Sequence, residues 1–320
     1  MRVLTWDIGG ANVKRLLLDS KGSLRSDIYY FPLWKKKERL PGFLREKKLG
    51  CDLVGVTMTA ELCDIFRSKK EGVEFVVDAC EEVFEKPFYL TVDGELLRAG
   101  EIRNPLILAA SNWVASLCYL ERRFRSGVLL DVGSTTTDII PFGGGERAMT
   151  DLERLQRGQL VYTGFLRTPV SAIAARVPFK GRLTRISSEA FAISADVYNV
   201  LGMLPRYGCE TPDGRGKSPL DSMRRVARML CADLDEVGEE EVRRICGYLF
   251  EKQAASIAGA LSEVLEELEK PRVFGCGVGL ALAARACELI RVPMHSLAGV
   301  TPAHDNLPCL GLAEMLIGKI

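Results

Sequence analysis

The sequence predicts an α/β fold built from two duplicated halves. Three observations carry that expectation. Apolar, β-branched runs alternate with helical patterns along the chain. A strand ending in Asp-x-Gly and followed by a return strand occurs twice, at residues 4–14 and again at 129–140. The 320 residues are enough for two domains. The expected division is a first lobe over residues 1–125 and a second over 126–320, with the C-terminal segment free to pack back on the first. The ligand is expected in a central cleft between the halves.

The elements follow in order. Arg2–Gly9 and Asn12–Asp19 read as strands, and a turn at Ser20-Lys21-Gly22 leads to a third near residues 27–31. Gly9 and Gly10 sit at the first turn, where backbone without Cβ bends with least strain. Residues 35–39 form a basic loop, read as a solvated surface. A strand at 52–58 precedes helices at 60–68 and 72–84, then a strand at 88–92 and a hairpin turn at Asp93-Gly94. Asn104 is suited to cap a long helix over 105–124, with Pro105 at its first position.

Gly127–Val132 and Thr137–Phe142 are strands joined by the polar turn Gly133-Ser134-Thr135-Thr136. A helix is expected near 188–201, a Gly- and Pro-rich loop at 208–219, and helices at 222–230, 239–250 and 253–269. A strand at 272–274, a glycine turn at 275–279 opening a helix to about residue 290, a strand at 292–296 and a helix from about Leu310 complete the chain.

Composition excludes several classes. Lys plus Arg number 43 and Asp plus Glu 42, which argues against broad electrostatic binding to nucleic acid or membrane but leaves room for a local phosphate site. No stretch reaches the roughly 18 apolar residues of a spanning helix. No secretory signal is read, so a cytoplasmic protein is expected. The ten cysteines are scattered and none forms a C-x-x-C pair, so they read as reduced, buried small hydrophobes rather than a zinc or iron–sulfur site.

The two hairpins carry the chemistry. An Asp at a strand end before a glycine turn can hold Mg²⁺ through water, and the turn's N–H groups can face phosphate oxygens. The first hairpin offers Asp7, Gly9, Gly10, Asn12 and Lys14. The second offers Asp131, Gly133, the hydroxyls of Ser134, Thr135 and Thr136, and Asp138. Hydroxyls that satisfy their own turn are the structural alternative. Gly275, Gly277 and Gly279 let backbone approach a flat ligand, or else serve tight strand–helix packing.

Strand-Asp-x-Gly hairpins in both halves and a late Gly-x-Gly-x-Gly resemble the superfamily of sugar kinases, actin and the heat-shock chaperone ATPases. Within it, the run Asp131-Val132-Gly133-Ser134-Thr135-Thr136-Thr137-Asp138 and the segment Tyr162-Thr163-Gly164 with Arg167-Thr168-Pro169-Val170 resemble the hydantoinase and oxoprolinase branch. Trp6-Asp7-Ile8-Gly9-Gly10-Ala11-Asn12 and Asp213-Gly214-Arg215-Gly216-Lys217-Ser218 are similar to a family of short, stand-alone members that act in methanofuran biosynthesis.

That resemblance implies an actin-like, ribonuclease H-like fold and a transferase using two small-molecule substrates. The family condenses 5-(aminomethyl)-3-furanmethanol diphosphate with the phenol oxygen of γ-glutamyltyramine; an ether forms and pyrophosphate leaves. A diphosphate leaving group needs a cation and donors for its growing charge, so Mg²⁺ is the expected cofactor, with Asp7 and Asp131 as its holders. Arg167, Arg215 and Lys217 are candidates for the diphosphate. Asp7, Asp138 and His304 are candidates for the base at the phenol, although a satisfied structural histidine is the simpler account of His304. Glu101 and Glu189 read as ordinary surface carboxylates. The alternatives are an ATP-dependent kinase or an oxoprolinase-type hydrolase, and a nucleotide sensor without turnover.

Overall fold

A computed structural model describes residues 1–204, 207–269 and 272–319. The chain divides into two compact units. The first comprises residues 1–126, 149–151 and 301–320; the second comprises 127–148 and 152–300.

The first unit is built on a sheet with strand order β3-β2-β1-β4-β5-β6. Its strands are β1 (Arg2–Gly9), β2 (Asn12–Asp19), β3 (Leu24–Tyr30), β4 (Leu53–Thr59), β5 (Phe88–Leu90) and β6 (Leu96–Leu97). β1 pairs antiparallel with β2 and parallel with β4. β1 is buried from Val3 to Ile8, as expected for a central strand covered on both faces. On one face, Trp6 and Ile8 join Val56, Val73 and Val76 in the core. The helix Leu307–Gly318 packs on β1 and β4. That approach requires glycine: a Cβ on Gly55 would lie 2.6 Å from Leu316 Cδ1, and one on Gly311 would run into the Ala115 carbonyl. The Thr5 hydroxyl donates to the Cys309 carbonyl at 2.8 Å and fixes the helix start beneath the hairpin.

The second unit repeats the plan. Its strands are β7 (Gly127–Val132), β8 (Thr137–Phe142), β9 (Leu160–Val161), β10 (Arg176–Phe179), β11 (Arg182–Arg185), β12 (Val273–Cys276) and β13 (Met294–Ser296). The main sheet runs β13-β12-β7-β8-β9, and β10 and β11 form a separate hairpin. β7 pairs antiparallel with β8 and parallel with β12, as β1 does with β2 and β4. The hairpin registers match too: Asp7 faces Lys14, and Asp131 faces Asp138.

Several elements differ from the sequence expectations. Residues 60–68 form turns, not a helix; the helix starts one residue later, where the Ser68 hydroxyl caps Lys69–Glu81 by accepting from the Glu71 N–H. The long helix at 105–124 is broken by Ala110, whose φ is 49°. It becomes a short 3₁₀ turn, Pro105–Leu108, and the helix Asn112–Glu121. Residues 35–39 are helical turns leading into the helix Leu40–Lys47, not a loop. The pair of helices at 239–250 and 253–269 is one helix of 28 residues, Glu239–Glu266. Its buried stripe, Val242, Ile245, Leu249, Gln253, Ala254, Ile257 and Leu261, keeps the helical period across Glu251 and Lys252. β10 and β11 were not expected. Gly275 lies inside β12 rather than in a turn.

No helix among the described residues is long and apolar enough to cross a membrane. No disulfide is formed among the described residues. Burial pushes the thiols of Cys80, Cys246 and Cys309 far up, and that of Cys209 to about 11, which suits packing rather than nucleophilic use.

Candidate active site

The turn of the second unit is held from below by the segment that follows β9. Gly133 N–H donates to the Thr136 carbonyl at 2.9 Å and closes the turn. Phe165 N–H donates to the Gly133 carbonyl, and the N–H groups of Leu166 and Arg167 donate to the Ser134 carbonyl, at 2.9–3.0 Å. The carbonyls of Gly133, Ser134 and Thr136 are thereby engaged, while the side chains of Ser134, Thr135 and Thr136 stand half-buried. Arg167 donates to Thr135 Oγ1 at 3.2 Å, so the guanidinium stands beside the hydroxyls.

Gly164 is the tightest point of this support. A Cβ there would lie 2.5 Å from the Thr135 backbone. Its carbonyl accepts from the buried Gln253 amide at 2.8 Å and from Ser194 Oγ at 3.0 Å. Gly164→Ala is expected to displace the hydroxyl turn, with a fall in kcat/KM that exceeds any change in melting temperature. Unchanged kinetics would show that the turn tolerates the shift.

Asp131 and Asp138 face each other across the hairpin, an arrangement of like charges that destabilises unless compensated. Arg154, almost fully buried, forms an ion pair with Asp138. That guanidinium occupies an oxygen that a base or metal-orienting role for Asp138 would need. Asp131 is half-buried. Gly277, at φ 89°, brings its backbone against the Asp131 carboxylate, leaving no space for a Cβ. Gly279 is likewise pressed on Val132, and Gly275 on the Met294 side chain. All three glycines therefore have packing reasons, and only Gly277 touches a candidate site residue.

In the first unit, Asp7 is 4% exposed and Lys14 Nζ lies 3.9 Å from its Oδ2. A Cβ on Gly9 would lie 2.9 Å from the Asn12 carbonyl, and one on Gly10 would lie 2.7 Å from Cys63 Sγ. Asn12 is half-buried on the return strand. His304 opens a 3₁₀ turn packed on β2; its Nδ1 is buried without a hydrogen-bond partner.

Arg215 and Lys217 lie in an exposed loop of the second unit. Lys217 Nζ donates to the Tyr207 carbonyl at 3.1 Å. The loop is anchored from within. Arg225, fully buried, donates to Asp196, to Asp213 at 3.1 Å and to the Gly216 carbonyl at 3.1 Å. Glu101 and Glu189 are exposed.

Sequence reasoning missed Arg154, Gln253 and the Asp196–Arg225 pair, whose partners lie far along the chain. It also missed Glu61, 2% exposed, which nothing in its local pattern distinguishes. Among the described residues, no group of three or more His, Cys, Asp or Glu side chains could hold a metal ion by itself.

Residues 52–304 match the hydantoinase/oxoprolinase family. The chain belongs to that family. The chain is 42% identical over 257 residues to the (4-{4-[2-(gamma-L-glutamylamino)ethyl]phenoxymethyl}furan-2-yl)methanamine synthase of Methanocaldococcus jannaschii, covering 78% of each chain. Among solved structures, nucleotide-free acetone carboxylase aligns with a TM-score of 0.56 at 10% identity, over 98% of this chain and 70% of that one. The ethanolamine utilization protein EutJ of Carboxydothermus hydrogenoformans aligns with a TM-score of 0.50 at 12% identity, over 98% and 89%. At such identities the likeness shows the fold, which is the actin-like ATPase and sugar kinase fold.

Proposed function

We propose that the protein is a transferase of methanofuran biosynthesis. It joins the furanylmethyl carbon of 5-(aminomethyl)-3-furanmethanol diphosphate to the phenol oxygen of γ-glutamyltyramine and releases pyrophosphate. The observation that carries the reading is the 42% identity, over 78% of the chain, to a synthase whose product name contains that phenoxymethyl-furan ether.

The residues supply what such a leaving group requires. In the second unit, Ser134, Thr135 and Thr136 offer donors from a turn whose backbone is fixed, and Arg167 adds a cation beside them. Donors held in place before the reaction stabilise developing charge without reorganising. Arg215 and Lys217 extend this to a loop of the same unit. In the first unit, the turn with Asp7, Gly9, Gly10, Asn12 and Lys14 offers the same kinds of group.

The donor set fits Mg²⁺ of a particular kind. With one carboxylate beside each turn, and no three-residue cluster among the described residues, the protein suits an ion bound chiefly through phosphate oxygens and water. Asp131 and Asp7 are the carboxylates that would hold it. When bound, the ion offsets charge on the departing diphosphate.

The test is an incubation of purified protein with Mg²⁺ and either ATP or the furan diphosphate and γ-glutamyltyramine. Ether and pyrophosphate from the second pair, without ADP from the first, are the expected result. Pyrophosphate is expected to compete with the furan diphosphate only while Mg²⁺ is present. Strong ATP hydrolysis, or inhibition that survives EDTA, would support a kinase or hydrolase instead.

A further inference from the structure

Gln253 stands where packing alone would take an apolar residue. It lies midway along the helix Glu239–Glu266, in a buried stripe with Leu249, Ala254 and Ile257 beside it. Only 2% of the residue is exposed. A buried amide is costly unless its polar atoms find partners. Here both ends do. Oε1 accepts from the Tyr198 hydroxyl at 2.6 Å, and Nε2 donates to Thr163 Oγ1 and to the Gly164 carbonyl at 2.8 Å each. Burial pushes the Tyr198 phenol up, so it stays protonated and donates. That assigns Oε1 to Tyr198 and leaves both amide hydrogens for residues 163 and 164.

Those two residues are the ones on which the hydroxyl turn rests. A Cβ on Gly164 would lie 2.5 Å from the Thr135 backbone and 2.7 Å from the Ser134 carbonyl carbon. The Thr163 carbonyl accepts from the Thr137 hydroxyl at 2.8 Å, at the start of β8. The residues that follow carry the cation. Arg167 N–H donates to the Ser134 carbonyl, and its guanidinium donates to Thr135 Oγ1 at 3.2 Å. A shift of Gly164 therefore moves the hydroxyls and the guanidinium together. Thr168 Oγ1 and Ser194 Oγ also donate to the Gly164 carbonyl, at 3.1 and 3.0 Å. Thr168 belongs to the segment itself, whereas Gln253 ties the segment to the long helix by the shortest of the three bonds.

We propose that Gln253 is a positioning residue for the diphosphate. Its two amide hydrogens set Thr163 and Gly164, and through them the place of the Ser134–Thr136 hydroxyls and of Arg167. The proposal rests on the transferase reading above. Donors fixed before the reaction stabilise developing charge without reorganising, and Gln253 is the interior group that fixes them.

The experiment uses three variants of the full chain. Gln253→Met keeps the length of the side chain and removes both amide hydrogens. Gln253→Glu keeps the shape. Its carboxyl, raised by burial, donates one hydrogen to Gly164 while protonated and repels that carbonyl once ionised. Tyr198→Phe removes the donor to Oε1 but leaves the amide hydrogens on residues 163 and 164 and the ring stacked on Phe165. For each, calorimetry measures binding of pyrophosphate with Mg²⁺, thermal melts measure stability, and rates give KM for both substrates.

Gln253→Met is expected to weaken pyrophosphate binding and to lower kcat/KM for the furan diphosphate by about 10²-fold, typical of a misplacement of about 1 Å. Its KM for γ-glutamyltyramine is expected to stay as in wild type. Tyr198→Phe is expected to melt lower than wild type yet bind pyrophosphate equally well. Gln253→Glu is expected to bind close to wild type at acid pH and to fall further behind as pH rises. Equal weakening in Gln253→Met and Tyr198→Phe would reduce Gln253 to a part of the core and overturn the proposal, as would unchanged binding in Gln253→Met. If Gln253→Met does not fold, Gln253→Glu decides: a deficit against wild type that grows with pH supports the proposal, and one independent of pH overturns it. A wild type that binds pyrophosphate but forms no ether overturns the transferase reading and leaves the binding comparison to judge Gln253. A wild type that binds no pyrophosphate overturns both.

Discussion

Asp131→Asn is expected to lower kcat/KM by about 10²–10³-fold, because an electrostatic group at a developing charge is typically worth about 3–4 kcal/mol. Stability is expected to hold. Asp131 faces Asp138 across β7 and β8, so removing its charge relieves a like-charge repulsion. Asn keeps the shape that packs against Gly277. Asp7→Asn is expected to lose turnover similarly, but its stability differs in sign. Its carboxylate is buried and Lys14 Nζ lies 3.9 Å away, so the variant loses the attraction between that carboxylate and the Lys14 ammonium. Steady-state rates and thermal melts of both variants check the contrast. Near-normal rates for either variant would remove that carboxylate from the reading. A collapsed Asp131→Asn protein would mean that the charge serves the fold.

The hairpins were legible because their information is local. In β1 and β7 an apolar run ends in Asp-x-Gly, and the return strands begin a few residues later, so register and turn follow from adjacent residues. The shared order of the two sheets follows from the same repeat. What could not be read depends on partners far along the chain. Arg154 reaches back to Asp138 and Gln253 to Thr163 and Gly164. Nothing near Arg154 or Gln253 marks them as supports of a turn. Gly275, Gly277 and Gly279 carry two kinds of information at once. Their local pattern resembles a ligand turn, while their contacts are with Met294, Asp131 and Val132. The break at Ala110 escaped because alanine gives no warning of a positive φ. Glu61 was invisible because burial belongs to the fold and not to the residue.

Arg225→Met is expected to destabilise the second unit by about 3–5 kcal/mol, the range for breaking a buried pair by removing one partner. Arg225 and the side chain of Asp196 are fully buried. Without the guanidinium, Asp196 keeps the Ser222 hydroxyl at 2.9 Å and the Ile193 N–H at 3.1 Å, but no opposing charge. Replacing both partners with apolar residues, Arg225→Met with Asp196→Leu, is expected to recover much of the loss, since the desolvation of both charges disappears together. The loop is a separate matter. Asp213 and the Gly216 carbonyl are tied to Arg225 at 3.1 Å each, and these bonds fix residues 213–218 from below. The double variant does not restore them. It is therefore expected to melt near wild type while its loop amides exchange hydrogen faster. Thermal melts and hydrogen exchange on the same three proteins separate the two effects. If Arg215 and Lys217 hold the diphosphate, the double variant also shows a raised KM for the furan diphosphate. A double variant with normal melting, fast loop exchange and an unchanged KM would leave the buried pair as a loop anchor and take Arg215 and Lys217 out of the diphosphate site.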